Sequence, residues 1–120
     1  YYQSFAQMLA LGGEYKGHKI IGRNTIDLMR KNQLTPKEMK SYSDGKSGTG
    51  YGLGVYTVMD RSIGGLNGSV GEFGWSGMAG TSVIIDPLEK ISVVFMQQQL
   101  PNAEGMQKQR IRAAVYGALC

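Results

Sequence analysis

Two short apolar runs near the end of the chain limit its fold more than any other feature. Residues 83–85 read Val-Ile-Ile and residues 93–96 read Val-Val-Phe-Met. The segment 86–89 between them, Asp-Pro-Leu-Glu, suits a type I turn with proline at its second position. This short link predicts an antiparallel hairpin. Because neither run alternates with polar residues, both faces of the strands must be covered by other elements.

A C-terminal helix can supply one of these covers. Asn102 can cap a helix that begins after Pro101. The apolar side chains of this helix share one side, whereas Lys108 and Arg112 face the other. The apolar set consists of Met106, Ile111, Ala114, Val115 and Leu119. We therefore expect the apolar side to pack against the hairpin.

The first part of the chain has a helical pattern. Apolar residues recur at helical spacing over residues 5–11, and this run ends at Gly12-Gly13. A second helix is predicted to begin at Asn24 or Thr25, either of which can cap it. Residues 35–38, Thr-Pro-Lys-Glu, form a capping box with proline at the first helical position and predict a short third helix.

From Gly45 onward the period of the pattern becomes two. Apolar residues and glycines alternate over residues 51–56, which predicts a strand, and residues 69–75 predict another. The segment 60–68 between them is rich in glycine and asparagine and is predicted to be a loop. Glycine makes up 18 of the 120 residues, and most glycines lie in this region, so we expect tight turns here.

These patterns predict an α/β fold, more narrowly α+β. We assign residues 1–44 to a mostly helical region and residues 45–120 to antiparallel strands and a C-terminal helix.

The composition excludes several classes of function. The 13 lysines and arginines give a net charge of +4 but are scattered, which is typical of a solvated surface and not of a nucleic-acid-binding patch. No stretch approaches 18 apolar residues, so we predict no membrane-spanning helix. His18 is the sole histidine and Cys120 the sole cysteine, so we predict no structural zinc site and no internal disulfide. The absence of any cofactor is an expectation that depends on the resemblance described below.

Three short motif matches in one loop are better explained by chance. Ser43-Asp44-Gly45-Lys46 has the Ser-x-x-Lys spacing of serine acyl-enzymes, but that chemistry requires a helix, which this glycine-rich segment disfavours. Lys46-Ser47-Gly48 matches a Lys-Ser/Thr-Gly box but shares Lys46 with the first match. Gly45-Lys46-Ser47 ends like a phosphate-binding loop, although position 40 is Lys40 and lacks the leading glycine.

The segment 68–81, Gly-Ser-Val-Gly-Glu-Phe-Gly-Trp-Ser-Gly-Met-Ala-Gly-Thr, is more informative. Together with the apolar runs that follow, it resembles the C-terminal sheet of class C β-lactamase-like proteins, which include esterases and relatives of penicillin-binding proteins. Residues 5–9 with Gly12-Gly13-Glu14, and then 51–54, look like the same family in the same order. The resemblance covers nearly the whole chain and implies a β-lactamase/transpeptidase-like fold, here incomplete.

The resemblance implies an active-site strand. Trp75-Ser76-Gly77 matches the family's Lys-Thr-Gly box, and Met78 would offer its backbone N–H as half of an oxyanion hole. Trp75, Ser76, Gly77 and Met78 are therefore the candidate catalytic-site residues. Without the resemblance, Trp75 is better interpreted as an ordinary aromatic residue of a strand, and only the resemblance reverses this interpretation.

Two departures from the family pattern bear on activity. Trp75 stands where β-lactamases carry a lysine, which favours esters over acidic β-lactams as substrates. The family's Ser-x-x-Lys and Tyr-x-Asn motifs would precede Phe5, so we expect this chain to be a C-terminal piece without the nucleophile and inactive alone. Alternatives are a catalytically dead relative, a binding module or, third, a nucleic-acid-binding module.

The resemblance also implies an unpaired strand. The strand at residues 91–96 resembles one that pairs with an N-terminal strand in the family, so its open side is expected to promote self-association. The other expected partner is a small ester or β-lactam-like substrate. The compartment in which the protein works stays undetermined.

Overall fold

Helices and strands are interspersed along the chain. The computed structural model describes residues 1–42, 48–64, 67–100 and 105–119. Within these ranges the helices are α1 (Tyr2–Ala10), α2 (Arg23–Met29), α3 (Pro36–Ser41), α4 (Arg61–Gly64) and α5 (Gly105–Gly117). The strands are β1 (Glu14–Tyr15), β2 (His18–Lys19), β3 (Thr49–Tyr51), β4 (Tyr56–Val58), β5 (Phe73–Ser76), β6 (Ser82–Asp86) and β7 (Ile91–Phe95). No described helix has the length and apolar character needed to span a membrane.

An antiparallel sheet with the strand order β3-β4-β5-β6-β7 forms the centre of the fold. The predicted hairpin is confirmed as β6 and β7, in which Val83 lies opposite Val94. Its turn is closed by the Asp86 carboxylate, whose Oδ1 accepts hydrogen bonds from the N–H groups of Leu88 at 3.0 Å and Glu89 at 3.1 Å. β6 is buried along its whole length. This burial explains why its sequence is continuously apolar, as expected for a strand covered on both faces.

The main apolar core lies between α1 and one face of this sheet. Ala6 and Leu9 of α1 pack in one cluster with Phe73, Val83 and Ile85 of the sheet. Burying a large aliphatic or aromatic side chain contributes about 1.5–3 kcal/mol to folding. A side-chain hydrogen bond also links β7 to α1, since Ser92 Oγ donates to Gln7 Oε1 at 2.6 Å.

Two strand predictions need correction. Residues 51–56 form no single strand, because Gly52 N–H donates to Val55 O at 2.7 Å and closes a turn between β3 and β4. The strand predicted over residues 69–75 is shorter, since a turn in which Glu72 N–H donates to Ser69 O at 3.1 Å precedes β5. The turn propensity of the glycines outweighs the alternating pattern in both places.

One predicted helix start is confirmed and another is wrong. At α3 the capping box is present: Glu38 N–H donates to Thr35 Oγ1 at 3.3 Å, and Thr35 N–H donates to Glu38 Oε2 at 2.7 Å. α2 differs, because its N-cap is Gly22 and neither Asn24 nor Thr25 caps it. The predicted loop 60–68 contains the short helix α4.

The predicted orientation of the C-terminal helix is wrong in part. Arg112 is only 6% exposed, whereas Ala114 and Leu119 lie at the surface. Lys108, Arg112 and Tyr116 recur every four residues and reach sheet residues. These polar side chains therefore face the sheet, where the apolar pattern predicted that they would face solvent. The proposed cap Asn102 and the Met106 side chain lie outside the described residues.

Candidate active site

Strand β5 and the turn after it form the candidate site. Trp75 lies opposite Val83 and Ser76 opposite Ser82 on the neighbouring strand β6. Gly77 N–H donates to Thr81 O at 2.7 Å, and Gly80 N–H donates to Gly77 O at 3.1 Å, which closes a tight turn. Met78 lies at the tip of this turn and is 82% exposed. Among the described residues its backbone N–H has no hydrogen-bond partner.

Trp75 presents its indole at the surface while a neighbouring ring limits its orientations. The residue is 49% exposed. The Tyr51 ring meets it edge-on, with ring centroids 5.6 Å apart and an interplanar angle of 72°. This T-shaped arrangement is a favoured geometry for aromatic pairs. It places a semi-rigid apolar surface beside Ser76.

A concavity of about 290 Å³ opens next to the strand. Its walls combine large apolar side chains with two hydroxyl-bearing strand ends. The lining residues are Tyr2, Trp75, Ser76, Gly77, Thr81, Ser82, Val83 and Met96. Three of the four candidate residues from the sequence thus border one cavity, and the fourth, Met78, follows directly in the chain.

The turn after β5 rests against a glutamine side chain. Gly80 has a φ of +89°, and a Cβ atom there would lie 1.9 Å from Gln97 Nε2. The positive φ favours glycine at this position, and any larger residue would also displace the Gln97 side chain. The Gln97 Nε2 atom is buried and lacks a hydrogen-bond partner among the described residues.

Ser76 has a charged neighbour that the sequence reasoning did not connect to it. Lys108 Nζ, from α5, donates to Ser76 Oγ at 2.8 Å. The same ammonium lies 5.1 Å from the centroid of the Tyr56 ring, within the range of a cation–π interaction. The spacing of Lys108, Arg112 and Tyr116 along α5 could have indicated a common face, but only their partners on the sheet identify it.

Behind β5, a buried polar network joins the sheet to α5. Arg112 forms a bidentate ion pair with Glu72, in which Nη1 donates to Oε2 at 2.6 Å and Nη2 to Oε1. The Tyr116 hydroxyl hydrogen-bonds with Glu72 Oε2 at 3.1 Å and with Asp86 Oδ2 at 2.7 Å. The Tyr56 hydroxyl donates to Glu72 Oε1 at 3.1 Å.

Burial and charge shift the acid–base properties of this network. Burial, and then the Glu72 charge, raise the pKa of both Tyr56 and Tyr116 well above the ordinary phenol value. Burial also raises the pKa of Glu72, against the opposing effect of Arg112. Burial acts to raise the pKa of Asp86 too, but hydrogen bonds, first that from Tyr116, lower it overall.

The histidine, the metal site and the motif matches considered in the sequence do not contribute to this site. His18 lies exposed in the short hairpin of β1 and β2. In the ranges that the structure describes, no group of three histidine, cysteine or carboxylate side chains could hold a metal ion. The three motif matches at Ser43, Gly45 and Lys46 fall outside the described residues.

Comparison with known proteins identifies the family. The family model described as Beta-lactamase matches residues 2–118. The chain belongs to the β-lactamase family. Its fold also agrees with that of EstCE1, a hydrolase with promiscuous acyltransferase activity, at a TM-score of 0.73 and 26% sequence identity. That match covers 93% of this β-lactamase-family chain and 28% of the EstCE1 chain.

Two curated relatives come from Mycobacterium tuberculosis. Protein Rv1367c of strain H37Rv and the uncharacterized protein MT1414 of strain CDC 1551 are each 29% identical to this chain over 108 residues. Each match covers 84% of this chain and 27% of the relative. This family member therefore spans about a quarter of the length of the relatives it matches.

Proposed function

We propose that this chain supplies one wall and one oxyanion donor of the active site of a serine acyl hydrolase. The observation that carries the proposal is the backbone N–H of the exposed residue Met78, which has no hydrogen-bond partner among the described residues and lies in the turn after β5, next in the chain to the cavity residues Trp75, Ser76 and Gly77. Membership of the β-lactamase family and the fold shared with EstCE1 support a hydrolase.

The proposed reaction proceeds through an acyl-enzyme. A serine outside these 120 residues attacks an ester or amide carbonyl, and the Met78 N–H stabilises the negative charge that forms on the carbonyl oxygen. The alcohol or amine leaves, and water or another nucleophile then releases the acyl group. Removing one oxyanion donor typically costs about a hundredfold or more in rate, so the backbone conformation of this turn is critical.

The chemistry of the cavity favours esters with an apolar group. Trp75, Val83 and Met96 contribute apolar walls. An indole carries no positive charge, so it cannot attract the carboxylate of a β-lactam as a lysine would. We therefore expect short esters to be better substrates than β-lactams.

Adduct mapping tests the proposal. The complete open reading frame that encodes this chain is expressed, treated with an activated ester and with a chromogenic β-lactam, and analysed by mass spectrometry. We expect a single acyl adduct on a serine outside these 120 residues. A protein that hydrolyses neither substrate and forms no adduct would instead support a catalytically dead relative or a binding module.

The 120-residue chain alone is the matched control. It is expected to hydrolyse the ester no faster than buffer, because an oxyanion donor has nothing to stabilise without an attacking group. Turnover that disappears on Ser43→Ala or Ser76→Ala would show that the chain contains its own nucleophile.

A further inference from the structure

The loop between α2 and α3 serves as a hydrogen-bonding partner for the end of β3. Tyr51 N–H donates to Asn32 Oδ1 at 3.1 Å, and Tyr51 O accepts from Gln33 N–H at 2.8 Å. β3 lies at the edge of the described sheet, where backbone groups have no further strand to pair with. The Asn32 amide therefore takes the place that the carbonyl of a neighbouring strand would occupy.

Asn32 is itself held in one orientation. Its Oδ1 also accepts from Leu34 N–H at 3.2 Å, and its Nδ2 donates to Leu34 O at 3.4 Å. Because two backbone N–H groups meet the same atom, that atom is the amide oxygen. A Cβ atom at Gly50 would lie 2.6 Å from Asn32 Oδ1, so the backbone of β3 packs directly against the amide.

Tyr51 connects this loop to the wall of the cavity. Its ring lies edge-on to the Trp75 indole, with centroids 5.6 Å apart, and Trp75 lines the cavity. The chain just after Tyr51 is also tied to α2, since Leu53 N–H donates to Met29 O at 2.8 Å. The end of β3 is thus fixed to the helical region by several bonds, and the position of the Tyr51 ring follows from them.

We propose that Asn32 is a positioning residue that sets the preference of the cavity for the apolar group of the substrate. It holds the backbone of Tyr51, and the Tyr51 ring then restrains the indole of Trp75. A substrate whose large apolar group rests on an ordered indole binds with a smaller loss of side-chain entropy. A substrate with a methyl group in the same place gains little from this order. The inference rests on the proposed function of the site.

Kinetics of the protein encoded by the complete open reading frame test the effect on substrate preference. Asn32→Ala should lower the ratio of kcat/KM for a phenylacetyl ester to that for the acetyl ester of the same alcohol by about threefold, mainly through KM of the larger ester. Partial unfolding would lower both values alike and leave the ratio unchanged. Asn32→Asp keeps the acceptor oxygen and should retain the ratio, as should Asn24→Ala, at an exposed position of α2.

The double variant Asn32→Ala with Tyr51→Ala tests whether Asn32 acts through Tyr51. It should change the ratio no more than Tyr51→Ala alone, because both substitutions remove the same restraint on Trp75. Additive changes in the double variant would overturn the inference.

Fluorine NMR observes the indole without turnover. The same protein is labelled with 5-fluorotryptophan, and the Trp75 signal is assigned by its absence from Trp75→Phe. We expect Asn32→Ala and Tyr51→Ala each to displace or broaden this signal. Asn32→Gln keeps an amide but displaces it, so it should act in the same way with less effect on folding. An unchanged Trp75 signal in Asn32→Gln, or an unchanged substrate ratio in an active Asn32→Ala protein, would overturn the inference. A protein that shows the expected signal change but hydrolyses no ester would overturn the proposed function alone.

Discussion

Trp75 is half exposed, yet a neighbouring aromatic ring restrains it. About half of the residue is exposed and it lines the cavity, while Tyr51 contacts the ring edge-on and limits its rotation. An apolar surface that is already ordered binds a ligand with a smaller loss of side-chain entropy. We therefore propose that Trp75 selects the apolar part of a substrate.

Replacing Trp75 by lysine should change substrate preference. We expect Trp75→Lys in the full-length protein to shift the ratio of kcat/KM for a β-lactam to that for a short ester by about tenfold towards the β-lactam, because it adds a cation and removes an apolar wall. Trp75→Phe, which keeps an aromatic ring, is the control and should leave the preference for esters in place. An unmodified protein that hydrolyses a cephalosporin faster than a short ester contradicts this prediction.

At the scale of single residues, the sequence was informative where function depends on consecutive positions. Residues 75–78 could be proposed from their order, and the structure gathers them at one cavity and its adjoining turn. Lys108 could not be linked to Ser76, because the two residues are 32 positions apart and meet only through the packing of α5. The catalytic roles of residues 75–78 stay predictions.

Among the elements, α5 is attached in an unusual way. Its long polar side chains Lys108, Arg112 and Tyr116 reach the sheet, and the Arg112–Glu72 ion pair is almost fully removed from solvent. The apolar pattern of the helix predicted the opposite orientation, since local spacing cannot reveal a carboxylate on another element. Taking one member from such a pair leaves a buried charge without a partner, which is costly.

Arg112→Met should therefore destabilise the chain strongly. We expect the free energy of unfolding to fall by about 3 kcal/mol, because Glu72 loses its partner. The double variant Arg112→Met with Glu72→Gln should lose less than Arg112→Met alone, since no uncompensated charge remains. Urea unfolding measures both, and Arg110→Met, at an exposed position of the same helix, should change little. Equal losses in Arg112→Met and Arg110→Met would contradict the role assigned to the ion pair.

The network also predicts loss of stability at alkaline pH. The folded chain holds Tyr56 and Tyr116 protonated because burial raises the pKa of each, whereas the unfolded chain releases these protons above about pH 10. The folded state then binds more protons, so stability is complete below that pH and falls above it, by about 1.4 kcal/mol per pH unit for Tyr56 and by less for Tyr116, which is only half buried.

Tyr116→Phe isolates one of the two phenols. Its free energy of unfolding is measured by urea titration at several pH values between about 9 and 11. We expect this free energy to fall less steeply with pH than that of the unmodified chain. Tyr1→Phe removes a fully exposed phenol and should leave the slope unchanged. The same slope in Tyr116→Phe and in the unmodified chain would show that Tyr116 titrates alike in both states.

For the molecule as a whole, the sequence predicted which helices and strands form better than it predicted how they pack. The apolar β6–β7 hairpin and the helix α1 follow from periodicity, but the packing of α1 on the sheet face was not assigned from the sequence, which favoured the C-terminal helix as the cover. The hairpin of β3 and β4 was missed, since glycines at alternating positions suit both a strand and a turn. The division at residues 44 and 45 stays a prediction.

The position of β7 at the sheet edge bears on the association of whole molecules. We propose that the chain self-associates through this edge, because β7 pairs only with β6 among the described strands and its sequence is apolar. Light scattering over a concentration series should show dimers or larger species. Val93→Lys should shift the chain towards monomer, because a charge on an edge strand opposes pairing.

Leu88→Lys, in the exposed turn after β6, is the matched control and should associate like the unmodified chain. Circular dichroism and a thermal melt must show that Val93→Lys is folded. A monodisperse monomer of the unmodified chain at high concentration would mean that the β7 edge is not available for pairing.

The attachment of α5 by polar side chains has a consequence for how uniquely the molecule is assembled. An apolar helix face can slide or rotate slightly on a sheet and still bury a similar area, but a one-residue slip turns a helix by about 100°. Such a slip would take Arg112 away from Glu72 and Tyr116 away from Asp86. The network thus specifies a single register for α5, and that register is what keeps Lys108 at Ser76.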